Sequence, residues 1–505
     1  MSSPSSSNSA SPLSSVSSED STLINHLALL SLDGSNEDAE ELAATPIFTQ
    51  PVFEHGSSLK ASGKAEPFAQ FGLLAGIIEG SNATSDDAKV IAKDPRLFFN
   101  TTAPSSVFIC GSQGSGKSHT LSCLLENCLT RSKANVLPHP LTGIVFHYDP
   151  WVSASGGSPC EAAYLASAED ISVRVLCAPT NIRDIKSIYS KLPNVSVEEL
   201  RINQSDLNTK RMMDLMARIL RELRTEEQSN GTTFNYREFK RRLMDETLAV
   251  GQLQPLTQRL ETLESFMVKE QVAGQLTIVD LSCPCVTEET ACSLFNICLE
   301  LFIQHKSSVG LVVALDEAHK YMTDTVESEL LTARLLENIR VQRHVGIRVI
   351  ISTQEPTISP KLLDLCSVTI VHRFTSPDWM QSLRQHLAGA SIAPVATDEV
   401  IGNGYGMMAN LRPSSKELAE ELFHKIVALR RGEALLFCPS AIIGLRAAPI
   451  KLEKESSVID NWTDEDVENV GGRAYPQLIK LSHGHLRIQV RKRITQDGGR
   501  SILAT

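Results

Sequence analysis

The chain has 505 residues, 42% hydrophobic and 21% charged, enough to bury one large core or two to three smaller ones, and this balance excludes a collagen-like, coiled-coil or wholly disordered protein. No apolar stretch nears the roughly 18 to 20 residues of a bilayer span, and the serine-rich start lacks the basic and apolar segments of a secretory leader, so no membrane contact and a cytoplasmic or nuclear location are expected. The net charge of −11 decides nothing about partners: residues 1–66 hold nine acidic side chains against Lys60 and Lys64, leaving −4 on the other 439 residues, and a nearly neutral body can carry a local basic stripe.

Residues 1–60 open with MSSPSSSNSASPLSSVSSED, which cannot bury enough apolar surface to offset its ordering entropy, so a disordered acidic tail is expected. From 61 to 452 the composition is globular. Buried strands are expected at Val107–Cys110, Gly143–His147, Val173–Cys177, Leu276–Asp280, Leu311–Leu315, Val349–Ser352, Val368–Val371 and Ala434–Phe437. Near-continuous apolar runs of this kind, separated by helical patterns, predict an α/β fold with a mainly parallel sheet covered on both faces. Residues 181–272 contain no convincing strand. Met212, Leu215, Met216, Ile219 and Leu223, then Leu256, Leu260, Leu263 and Met267, recur at helical spacing, which predicts a helical insertion, either an arm for a protein partner or a cap on the sheet. In the C-terminal extension 453–505, the alternation in His485–Ile494 predicts an edge strand with Arg487, Gln489 and Arg491 on one face.

The eleven cysteines sit mostly in apolar runs and read as small buried hydrophobes. The closest pair, Cys283 and Cys285, has no matching CxxC or HxxxH to complete a zinc tetrahedron, which argues against a metal site there.

The strongest chemical signal is Gly111-Ser112-Gln113-Gly114-Ser115-Gly116-Lys117-Ser118, a G-x-x-x-x-G-K-[ST] run between a strand and a helix. Glycines let the backbone curl so that successive N–H groups, with the positive end of the helix, enclose a β-phosphate. Lys117 then reaches the β and γ oxygens of ATP, and the Ser118 hydroxyl ligates Mg2+. His119 continues the nucleotide-binding run. Both His119 and His319 flank the motifs and read better as neutral packed side chains than as proton donors. A P-loop needs an acidic strand end, and Leu311–Leu315 supplies it: Asp316 for the magnesium shell, Glu317 as general base. Gln354 ends another strand, where it can meet the γ-phosphate or its water. Arg340 and Arg343 precede that strand, and a guanidinium suits the spread charge on a transferring phosphoryl of a neighbouring subunit.

DEAH at 316–319 invites comparison with DEAH-box helicases, but only about 150 residues follow Ser352, too few for a second RecA-like domain. No LSGGQ-like signature of an ABC ATPase lies between the P-loop and Asp316. The ordered set GSQGSGKS at 111–118, TIVDLS at 277–282, VVALDEAH at 312–319, QRHVGIRVIISTQEP at 342–356 and VTIVHRF at 368–374 resembles the HerA/FtsK superfamily of P-loop ATPases. The resemblance implies a RecA-like core, with Gln354 as sensor, Arg343 as the trans-acting finger and Arg340 as the fallback. It also implies a ring-forming homo-oligomer, a hexamer, that translocates or remodels double-stranded DNA. The chain lacks room for the small barrel that HerA-type proteins carry before the P-loop and for the winged helix of FtsK-type motors. These departures admit a eukaryotic, fungal-type branch with a substrate of its own, and a second reading: an ATP-dependent switch or scaffold whose 181–272 arm takes a protein partner.

Overall fold

Strand Ser106–Cys110 reads Ser-Val-Phe-Ile-Cys and is buried throughout: Val107 and Ile109 enter one apolar layer, Phe108 and Cys110 the other. A strand alternates faces every residue, so a run that is apolar on both faces demands cover on both. The computed structural model describes residues 34–61, 66–80, 94–150, 157–200, 241–242, 272–304, 309–387, 415–446 and 476–498. Its strands are β1 (Ile47–Thr49), β2 (Phe71–Gly80), β3 (Arg96–Asn100), β4 (Ser106–Cys110), β5 (Asn135–Val136), β6 (Thr142–His147), β7 (Ser172–Cys177), β8 (Val195–Glu199), β9 (Gln275–Asp280), β10 (Leu311–Leu315), β11 (Ile347–Thr353), β12 (Val368–Val371), β13 (Glu433–Phe437), β14 (Ile442–Arg446), β15 (Gln477–Lys480) and β16 (Leu486–Val490). All eight expected strands are among them.

The strands form one sheet in the order β15-β14-β1-β3-β2-β16-β13-β12-β4-β11-β10-β6-β9-β7-β8, with β5 paired to β2. From β8 to β12 every pairing is parallel, and from β12 through β13, β16, β2, β3 and β1 every pairing is antiparallel. The fold is therefore α/β, a parallel half joined to an antiparallel half.

The helices are α1 (Gly34–Ala44), α2 (Gln50–Ala61), α3 (Lys117–Leu129), α4 (Ile182–Tyr189), α5 (Glu288–Gln304), α6 (Val326–Val345), α7 (Pro360–Leu365), α8 (Pro377–His386) and α9 (Ser415–Ala428). One face of the sheet receives Phe295 and Leu299 of α5, Leu331 and Leu335 of α6, Leu383 of α8 and Ile426 of α9. The other receives Leu121, Leu124 and Leu125 of α3 with Ile185 and Tyr189 of α4. Each fully buried side chain of this size contributes about 1.5–3 kcal/mol. Helix α6 shows why such segments stop where they do. Thr325 caps it by accepting from Ser328 N at 3.3 Å, Glu327 and Glu329 meet its positive end, and Gly346, at φ 72°, ends it. Among the described residues no helix is long and apolar enough to cross a membrane.

Three expectations need correction. The N-terminal tail does not extend to residue 60: α1, β1 and α2 are ordered elements, because Leu42, Phe48 and Val52 join Phe68, Phe71 and Phe98 in a separate aromatic core, where the Phe48 and Phe68 rings stack at 3.9 Å. The segment after 181 does contain a strand, β8, whose polar sequence Val-Ser-Val-Glu-Glu suits the sheet edge it occupies. The helical stripes at 212–223 and 256–267 lie outside the described residues. Finally, the basic strand expected at an edge is interior: β16 is sandwiched antiparallel between β13 and β2. Leu486, Ile488 and Val490 are buried on one face, and hydrogen bonding on both sides follows from that position.

Candidate nucleotide-binding and hydrolytic site

In the parallel half, β4, β11 and β10 lie side by side, so the residues leaving their C-terminal ends converge in one crevice. β4 runs into Gly111–Gly116, β11 into Gln354, and β10 into Asp316 and Glu317. Because β11 lies between the other two, Gln354 falls between the P-loop and the acidic pair.

The P-loop takes its shape from glycine. Gly111 sits at φ 149° and Gly116 at φ 119°, and a Cβ on Gly111 would fall 2.7 Å from the Cβ of His372. Within the turn, Ser115 Oγ donates to Ser112 O at 2.7 Å, and Ser112 N and Oγ both donate to Arg373 O, at 2.9 and 2.8 Å. Gly432 N donates to Ser115 O at 3.2 Å. Helix α3 starts at Lys117 with no side chain capping its first turn, which leaves amide donors for an anion. Lys117 is 4% exposed and its ammonium donates to Ser112 O at 3.2 Å. Burial lowers its pKa, and the Glu317 and Asp316 carboxylates oppose that fall.

Glu317 stands at φ 49°, a left-handed conformation that aims it away from the strand axis and into the crevice. Gln354 Nε2 donates to Glu317 Oε2 at 3.4 Å, and His319 Nε2 lies 3.5 Å from the same oxygen. His319 Nδ1 accepts from Gln354 N at 3.3 Å, and burial pushes this imidazole down to about 4, so it is neutral with its proton on Nε2, facing Glu317. Burial, then the adjacent Asp316 charge, raises the Glu317 carboxyl above the ordinary value of 4.5, against the pull of Lys117. Asp316 moves the other way. Burial acts to raise it, but the His147 hydrogen bond and charge, with Lys320, outweigh burial and hold it below the ordinary carboxylate value. Two adjacent carboxyls are thus pushed apart in acidity.

The structure brings together Lys117, Asp316, Glu317 and Gln354, with Ser118 and His119 on the first turn of α3. His119 Nε2 meets the carbonyl of Arg491 at 2.7 Å, which makes it a structural tie. Arg340 and Arg343 are exposed on the last turns of α6, at the opposite end of β11 and roughly 20 Å from the chain's own P-loop at about 3.3 Å per strand residue.

Sequence reasoning missed the residues that hold the site. His372 Nδ1 donates to Glu433 O at 2.9 Å and its Nε2 accepts from Thr120 Oγ1 at 2.9 Å. Burial drives it down to about 4 and keeps it neutral. The motif aspartate of TIVDLS is also structural: Asp280 accepts from Ser282 N at 3.0 Å and from Tyr189 Oη at 2.6 Å. The basic residues after β16 clamp α3. Arg491 donates to Glu126 Oε2 at 2.7 Å, to Asn127 Oδ1 at 3.0 Å and to Leu73 O at 2.7 Å. Glu126, fully buried, also accepts from Thr495 Oγ1 at 2.6 Å and Thr495 N at 3.0 Å. The helix is buried on every side from Thr120 to Leu129, so Glu126 has to be paired within the fold.

No family model and no curated protein matches the chain. Among solved structures, the fold is similar to the genome packaging NTPase B204 from Sulfolobus turreted icosahedral virus 2 in complex with ATP-gammaS, at 12% identity over 66% of this chain and 91% of that one, TM-score 0.26. It is similar to VirB4 of Thermoanaerobacter pseudethanolicus, at 14% identity over 69% and 91%, TM-score 0.33. EssC (ATPases 2 and 3) from Geobacillus thermodenitrificans gives 12% identity over 75% and 53%, TM-score 0.24.

Proposed function

We propose that the chain is a magnesium-dependent ATPase of the HerA/FtsK type, working as a ring, a hexamer, that moves or remodels double-stranded DNA. The observation that carries the catalytic part is the convergence of Lys117, Asp316, Glu317 and Gln354 at the ends of three adjacent strands, with Glu317 in hydrogen-bond contact with Gln354. The P-loop amides and Lys117 would bind and orient the phosphates. Glu317, its carboxyl held above the ordinary value, would take the proton of the attacking water, and Gln354 would fix that water against Glu317. The residues present fit a magnesium ion. The donors are hard oxygens, and Asp316 Oδ1 is buried with no hydrogen-bond partner among the described residues. Ser118 and Asp316 would hold it, and when bound it neutralises charge on the β and γ oxygens.

Assembly rests on α6. Val326, Leu330, Val341 and Val345 are 67%, 57%, 36% and 37% exposed and fall on one stripe of the helix, with Arg340 at its margin and Arg343 on another face. Since those arginines stand at the far end of β11 from their own P-loop, a nucleotide they serve belongs to a neighbour, Arg343 first and Arg340 as fallback.

The test is phosphate release with MgATP for the full-length protein and for Glu317→Gln, with and without duplex DNA at two salt concentrations. DNA stimulation that fades as salt rises, and is absent in Glu317→Gln, supports the motor. Slow turnover indifferent to DNA would instead support the nucleotide-dependent switch acting on a protein partner.

A further inference from the structure

We infer that His147, Cys160 and Asp316 form a binding site for one thiophilic divalent cation of the zinc class, one residue away from the general base. The three side chains come from separate parts of the fold: the last residue of β6, the turn before Glu161, and the residue after β10. Their ligand atoms, one nitrogen, one sulfur and one oxygen, all lie within 4.8 Å of one another. His147 Nδ1 is 3.2 Å from Asp316 Oδ2, and Cys160 Sγ is 3.7 Å from the same oxygen. Around a tetrahedral ion with bonds of about 2.0–2.3 Å, neighbouring ligand atoms stand roughly 3.3–3.7 Å apart, so the spacing already matches two edges of a zinc tetrahedron.

The surroundings hold these ligands in place. β6 is in register with β10 at Phe146 and Leu315 and with β9 at His147 and Asp280, so His147 is fixed between Asp316 and Asp280. Cys160 N donates to Tyr189 Oη at 2.9 Å, and Tyr189 Oη in turn donates to Asp280 Oδ2 at 2.6 Å, which anchors the backbone that presents the thiol. Second-layer bonds of this kind orient metal ligands. His147, Cys160 and Asp316 are 8%, 0% and 2% exposed, and the mixed sulfur, imidazole and carboxylate donor set favours zinc over magnesium. On binding, the cation replaces the Cys160 thiol proton and the proton on His147 Nδ1, both released to solvent, and no electron moves.

A cation seated there engages Asp316 Oδ2 and draws that carboxylate from the magnesium shell. Zinc therefore slows ATP turnover; this consequence rests on the nucleotide reading of Asp316, whereas the existence of the site does not. The test is titration of the chelator-treated full-length protein with Co2+, which reports thiolate coordination by a sulfur-to-cobalt charge-transfer band. We expect one Co2+ per chain, displaced by Zn2+ but not by Mg2+, with the sulfur band lost in Cys160→Ser. In His147→Asn the band stays and affinity falls at least roughly tenfold. Absence of the band, or its persistence in Cys160→Ser through another thiol such as the exposed Cys285, overturns the site. The unfolding temperature of the unsubstituted protein supplies a reading that needs neither variant: it rises with zinc if the site exists and is unmoved if it does not.

Discussion

The imidazole of His119, next to Ser118 in the first turn of the P-loop helix, meets the carbonyl of Arg491, 372 residues further along the chain, at 2.7 Å. From the segment that follows β16, the Arg491 guanidinium reaches the later turns of the helix at Glu126 and Asn127. Glu126→Gln leaves Arg491, whose side chain is 7% exposed, facing a neutral amide, while Arg493 keeps its bond to Glu161. We expect a loss of about 3 kcal/mol in urea unfolding. Burial alone would raise the Glu126 carboxyl, but the Thr495 and Arg491 bonds outweigh it and the pKa lies below the ordinary 4.5. Its stabilisation is therefore present above that value and fades as pH falls below it. The variant should lose that part of the acid dependence.

His372 gives a second pH signature at higher pH. Its folded value, down at about 4 against an ordinary 6.5, means that the unfolded chain takes up the proton first. Stability is full above 6.5 and declines as pH falls toward 4, by about 2 kcal/mol between pH 6.5 and 5. Urea midpoints at pH 7.5 and 5 should differ accordingly, and His372→Gln should narrow the gap.

For Glu317 the prediction concerns rate. Replacement by Gln should lower kcat about a hundred- to ten-thousand-fold while ATP affinity holds. The raised carboxyl places the acid limb of the kcat profile above pH 4.5, and activity should rise with pH through that limb. If the limb sits at the ordinary carboxylate value, Glu317 is not the base.

Arg343 is tested by mixing. Arg343→Ala alone and Lys117→Ala alone should each lose about a thousandfold in turnover. A mixture of the two restores composite sites, in which an intact P-loop faces an intact arginine, so activity should return on mixing. No recovery would show that the exposed Arg343 acts on nothing across a subunit boundary, and repeating the pair with Arg340→Ala assigns the alternative.

The parallel half of the sheet and its crevice were legible in the sequence because β4, β6, β10 and β11 are apolar on both faces, a signal that survives without tertiary context. Lys117, Asp316, Glu317 and Gln354 were legible because each sits at a fixed offset from such a strand. The antiparallel half was not. β1 has three residues, β2 is interrupted by Gly72, Gly76 and Gly80, and β16 reads polar on alternate positions; that pattern suits an edge, yet here Arg487 is paired with Glu433 across the strand boundary at 2.8 Å. His147 and Cys160 carry no motif spacing at all: the sheet register brings His147 beside Asp316, and the turn tied to Tyr189 brings Cys160 there.

The interior position of β16 orders events in time. Until residues 486–490 have been synthesised, β13 and β2 each present an unpaired edge, and Glu126 in the P-loop helix has none of the partners that Arg491 and Thr495 supply. The candidate nucleotide site of a nascent chain is therefore completed by nearly its last described residues, hundreds of positions after the P-loop leaves the ribosome. A chain stalled before residue 486 carries every motif of an ATPase and two open sheet edges, a state suited to chaperone capture or aggregation.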